Sequence, residues 1–204
     1  MRTRLLAALA LLATLGAAGE DALDMHCPKG SVLRERGTDF ACETPAGVGE
    51  GPFWARRDDG SLRLWGAARG GKPEGRWISW HPSGGKSIEA TYRAGELVGP
   101  FQMWSETGQL LYAGTHDARG EMDGEWTRWW PNGNRRAQWE MRHGRPHGPV
   151  AAWREDGSRN FAGRREDGRR EGEWIWWDAS GAEIARCRYA RDVVVEGTCG
   201  ADSR

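Results

Sequence analysis

Seven glycines divide most of the chain into units of nearly equal length. Gly51, Gly75, Gly99, Gly124, Gly148, Gly172 and Gly197 follow one another at 24, 24, 25, 24, 24 and 25 residues. A second glycine stands nine positions after each of the first six, at Gly60, Gly84, Gly108, Gly133, Gly157 and Gly181. A looser third column, about twenty positions in, holds Gly71, Gly95, Gly120, Gly144 and Gly168. With each opening glycine as position 0, position 2 holds Phe53, Trp77, Phe101, Trp126, Val150 and Trp174. Position 5 holds Arg56, Trp80, Trp104, Trp129, Trp153 and Trp177. A unit this short cannot bury its own apolar face and must stack on its neighbours. The chain is a repeat protein.

Each unit reads as a β-hairpin. Thirty glycines rule out a helical bundle, and thirteen tryptophans are foreign to a disordered chain. The position-9 glycines follow Asp59, Ser83, Thr107, Asn132, Asp156 and Ser180, in dipeptides that suit tight turns. A two-residue loop there pairs position 2 with 15 and position 4 with 13. That register sets Phe53 opposite Gly66, Trp77 opposite Ala90, Phe101 opposite Gly114 and Trp174 opposite Cys187. The opening glycine is then expected to reverse the chain into the next hairpin. Fold class follows: all-β, an elongated solenoid of about six hairpins of 24–25 residues in a single curved antiparallel sheet. Positions 2, 4, 13 and 15 form the expected core face. Alternation sends Trp80, Trp104, Trp129, Trp153 and Trp177 to the other face, unless a bulge returns them. Two readings of this row stay open: packing between repeats, or a partly exposed ladder that binds a partner.

The pattern in Gly124-Glu-Trp126-Thr-Arg-Trp129-Trp-Pro-Asn-Gly133 resembles the bacterial MORN-repeat variants found in YwqK-type antitoxin proteins. The resemblance runs from Gly51 to about Gly197. It implies an interaction scaffold without enzymatic activity.

The N-terminus reads as an export signal. Arg2 and Arg4 precede an apolar run, Leu5 to Leu15, and the small residues Gly16-Ala17-Ala18-Gly19 offer a cleavage site. The expected organisation is a signal peptide over 1–19, a disulfide-stapled cap and linker over 20–50, six repeats over 51–196 and a tail over 197–204. Location is then periplasmic or secreted. Four cysteines in an oxidising compartment suggest two disulfides. Twelve strands at ~4.8 Å span roughly 55 Å, beyond the reach of any bridge between the ends. Local pairing is therefore expected: Cys27 with Cys42, and Cys187 with Cys199.

Catalytic motifs are absent from the sequence: there is no phosphate-binding Gly-x-x-x-x-Gly-Lys-Ser/Thr and no Gly-x-Ser-x-Gly. Gly144 and Pro146 deny His143 and His147 the helix that would aim both at one metal. No metal, cofactor or enzymatic activity is expected. Twenty-nine basic residues balance twenty-nine acidic ones, against a nucleic-acid partner. A protein partner is expected first, with a cell-envelope glycan or peptidoglycan fragment as the alternative. Arginine is also common near the row, at Arg128, Arg136 and Arg154, where it could stack on the rings or pair with acidic partners.

Overall fold

The structure, a computed structural model, describes residues 23–199. The expected signal peptide and residues 200–204 of the expected tail lie outside this range. Among the described residues, fifteen antiparallel strands form one open sheet in strict sequence order. An entry hairpin, β1 (Val32–Arg36) and β2 (Asp39–Glu43), starts it. The six repeats supply β3 (Gly49–Arg56), β4 (Leu62–Arg69), β5 (Lys72–Trp80), β6 (Lys86–Arg93), β7 (Glu96–Trp104) and β8 (Leu110–His116). They continue as β9 (Met122–Trp129), β10 (Arg135–Arg142), β11 (Arg145–Trp153), β12 (Arg159–Glu166), β13 (Arg169–Trp177) and β14 (Glu183–Ala190). β15 (Val193–Thr198) closes the order. The segment expected as cap and linker thus adds a hairpin of its own, and Gly49 and Gly51 sit inside a strand.

Within each hairpin the expected register is present. Phe53 faces Gly66, Trp77 faces Ala90, Phe101 faces Gly114, Trp126 faces Trp139, Val150 faces Gly163 and Trp174 faces Cys187. The loop that produces it is different. Arg57 N–H donates to the Ser61 carbonyl and Gly60 N–H to the Arg57 carbonyl, a three-residue loop with glycine in the left-handed region. Position 5 therefore pairs with 11: Trp80 with Lys86, Trp129 with Arg135. One unpaired residue at position 12 then restores the register, since position 4 pairs with 13. The longer loop and the bulge cancel.

The opening glycines do not turn the chain. Gly75 and Gly99 lie within β5 and β7 with φ of 74° and 65°, at irregularities opposite the preceding strand. The third glycine column makes the turns between hairpins, where Ala94 and Gly95 both have positive φ. In four of the six repeats an acid one position before the opening glycine fastens the turn. Glu50, Glu74, Asp123 and Glu171 accept from the backbone N–H of Gly70, Ala94, His143 and Arg191, at 2.8–3.2 Å. Val98 and His147 break this column, and the turn that closes the hairpin of Val98 is a longer loop, Asp117 to Gly120. There the Asp117 carboxylate accepts from the N–H groups of Arg119 and Glu121.

The core lies on the face that carries position 2. The rings form a spine across the strands: Phe53 stacks on Trp77 at 5.8 Å, Phe101 lies 6.3 Å from Trp126, and Phe161 stacks on Trp174 at 5.9 Å. Each indole covers a glycine of the preceding hairpin instead of its own partner residue. A Cβ on Gly66, Gly114 or Gly163 would enter the ring of Trp77, Trp126 or Trp174. Trp77 and Trp174 each donate Nε1–H at 3.1 Å to a carbonyl of the strand they cross. That flat placement is how Trp126 becomes 1 % exposed in a single sheet layer. Both disulfides lie at the ends: Cys27–Cys42 and Cys187–Cys199, with Cα atoms 5.3 and 5.5 Å apart.

Candidate interaction face

Strand alternation sends positions 1, 3, 14 and 16 to the face opposite the spine. Trp129 joins them, lining a shallow depression with Ala113, Thr127 and Gln138. The bulge that threatened this placement sits at position 12 of the partner strand, so it does not rotate position 5. Trp80, Trp104, Trp129, Trp153 and Trp177 are all half-buried. The structure brings them to one row of what we call the ladder face.

Two sets of side chains hold the row. The first is position 6, which the sequence reading passed over. Arg57 donates to the Trp80 carbonyl, Trp130 Nε1–H to the Trp153 carbonyl at 3.1 Å, and Arg154 to the Trp177 carbonyl. His81 Nε2 lies 2.9 Å from the Trp104 carbonyl. Each strut crosses from one repeat to the next and fixes the backbone under the ring. The signal was present as a column of long side chains able to donate, broken by the short Ser105 and by Asp178.

The second set is position 11. The Arg135 guanidinium sits 5.9 Å from the Trp153 ring and Arg159 sits 5.6 Å from Trp177. Tryptophan and arginine therefore alternate along the later repeats, in reach of cation–π attraction. The arginines that the sequence sets near the row are placed otherwise. Arg136, at the bulge, lies over Trp130 at 4.3 Å, and Arg154 is spent on carbonyls. Arg128 pairs with Ala137 and Tyr112, on the spine side. Position counting along one strand cannot see a neighbour supplied by the next hairpin.

Charges at the two ends of the ladder face are internally matched. Arg76 meets Glu89 at 2.5 Å and holds its carboxyl below the usual range, with Lys86 3.4 Å away. Arg186 meets Glu173 at 2.6 Å and Glu183 at 2.7 Å, which raises the guanidinium and lowers the Glu183 carboxyl. At the N-terminal end Trp65 donates to the Asp24 carbonyl at 3.1 Å, and Phe40 stacks on Trp54 at 5.4 Å. That end is covered.

His143 and His147 are not brought together. His143 Nδ1 lies 3.3 Å from Asp117, and His147 Nδ1 lies 3.5 Å from Asp167. Asp117, Glu121 and His143 place ligand atoms within 4.8 Å of one another on the surface. Asp117 already serves its own loop, whose N–H groups lower its carboxyl.

The fourth hairpin is where sequence similarity appears. Residues 122–143 match the MORN repeat variant family. This MORN-like stretch covers β9 and β10, and the other five hairpins repeat its strand register. Among curated proteins no sequence matches the chain. A solved structure of alternansucrase in complex with isomaltononaose is similar at 14% identity, over 78% of this chain and 16% of that one. Its TM-score is 0.17, and the chain spans about a sixth of that protein's length. Superposition that poor speaks for neither fold nor function.

Proposed function

We propose that the protein is an exported, non-enzymatic repeat scaffold that binds a protein partner along the ladder face, in an immunity-like role outside the cytoplasm. One observation carries this reading: a second aromatic row lies opposite a spine that already serves as core. Folding needs one buried face, and half-buried aromatics at one place per repeat suit an extended partner. Successive members lie two strands apart, roughly 9–10 Å. The two terminal disulfides suit an oxidising compartment, and MORN-like similarity suits an interaction repeat.

The test is substitution of Trp104 and Trp129 by alanine, read by pull-down from envelope extract beside a thermal melt. The expected outcome is lost partner with a folded protein. Loss of folding by ~3–5 kcal/mol, as for a core tryptophan, would show the row to be structural. Retention on insoluble polysaccharide that disappears with the same substitutions would instead make the ligand a glycan.

A further inference from the structure

Within the six repeat hairpins, one described cross-strand pair on the ladder face opposes folding. Positions 1 and 16 pair Arg76 with Thr91, Pro100 with Thr115, Pro149 with Arg164 and Glu173 with Arg188. In the fourth hairpin the same place pairs Glu125 with Glu140. Like charges directly opposite on one face repel. The other carboxylates of this face are matched by arginine, as above. Glu125 and Glu140 are exposed, and neither has a hydrogen bond or ion pair with any described residue.

The surroundings are shaped to receive something. Two adjoining depressions of about 320 and 410 Å³ share Glu125 and Gln138 as lining. Thr127, only 7 % exposed, lines the first, and its hydroxyl has no partner among the described residues. Pro149 and Ala151 give the second an apolar wall. The Glu140 side chain lies across Gly148, where a Cβ would collide with its carboxylate. That contact holds one of the two acids in place.

We infer that this trough takes a cationic side chain, lysine or arginine, presented by an extended segment of the protein partner. The inference rests on the scaffold reading and names the chemistry of its partner. The cation sits between the two carboxylates and removes their repulsion. Its aliphatic stem lies on Pro149 and Ala151, while Gln138 and Thr127 hydrogen-bond the partner backbone. A divalent ion wants six or more oxygen ligands, more than two carboxylates on an open sheet supply.

Fluorescence anisotropy of the full chain tests it, with a labelled alternating alanine–lysine octapeptide and its alanine–glutamate counterpart as probes at low salt. The lysine peptide binds and the glutamate peptide does not. In the variant with Glu125→Gln and Glu140→Gln the lysine peptide weakens about tenfold, while the melting temperature rises because the repulsion is gone. Unchanged peptide affinity in that variant overturns the inference, and so does a lower melting temperature. Displacement of the peptide by calcium at constant ionic strength overturns it in favour of a metal site. If Trp129→Ala loses the pulled-down partner while the peptide results are negative, the scaffold reading stands and this inference alone falls.

Discussion

A methyl group added to Gly114 would enter the indole of Trp126, because that ring lies flat on the backbone of the strand before it. Gly114→Ala should cost about 1–3 kcal/mol, the range for overpacking a filled site. Gly124, where a Cβ would meet nothing within 4 Å, lies at φ 73°, so its alanine variant is strained by conformation instead. Chemical denaturation of Gly114→Ala, with near-ultraviolet circular dichroism of the displaced indole, separates the two causes. His116 packs edge-on against the same ring at 5.0 Å, with Phe101 at 6.1 Å, and its Nδ1 has no partner among the described residues. Burial lowers its pKa below 6.5, against a smaller opposing effect of Asp117. The unfolded chain therefore takes up the proton more readily than the folded one. The stability this neutral ring provides is fully present above about 6.5 and is lost as pH falls toward the folded value. His116→Phe should flatten that part of the stability–pH profile. An unaltered profile would show that the step belongs to another group.

At the scale of the hairpin, cohesion comes from what each unit borrows from the next. The fifth has Val150 where its neighbours place Trp126 and Trp174, followed by the small Ala151 and Ala152, and Gly163 of its second strand is covered by Trp174 of the sixth. Its first strand is the only one of the six repeats that brings no ring to position 2 of the spine. Opening should be easiest there, and native-state hydrogen exchange should show β11 and β12 exchanging before β5 to β8. The Arg154 struts to Trp177 and Asp178 oppose this, since they tie the fifth loop to the sixth. Uniform protection across all six hairpins would mean that the struts outweigh the missing rings.

Across the whole molecule, each hairpin touches only its sequence neighbours, so stability is a chain of local terms. The ends lack a neighbour on one side, and the two disulfides stand there. Reduction should unfold the terminal hairpins first and leave the spine of β5 to β10 folded, visible as two transitions in a melt followed by exchange. Small-angle scattering should give a radius of gyration well above the ~16 Å of a globule of this length. A compact radius would contradict the open sheet.

The six repeat hairpins, their register and the local cysteine pairing could be read from the sequence, since all three depend on contacts close along the chain; the entry hairpin β1–β2 could not. Asn132-Gly133 must turn wherever it sits, and four cysteines at two ends of a long sheet can only pair nearby. The register came out through two features that cancel, the longer loop and the bulge at position 12. Alternation alone does not distinguish that pair from a plain two-residue loop. What lay beyond reach was everything decided between hairpins. Gly75 as a bulge residue, Trp77 over Gly66, Arg57 on the Trp80 carbonyl and Arg135 on Trp153 all depend on how one unit sits on the next. So does the trough beside the unmatched Glu125 and Glu140. The unit and its repetition follow from local chemistry alone, because turn chemistry and side-chain period act within a few residues. The stacking offset that makes a spine on one face and a ladder on the other was decided only in the tertiary structure, where backbone irregularities set which side chains meet.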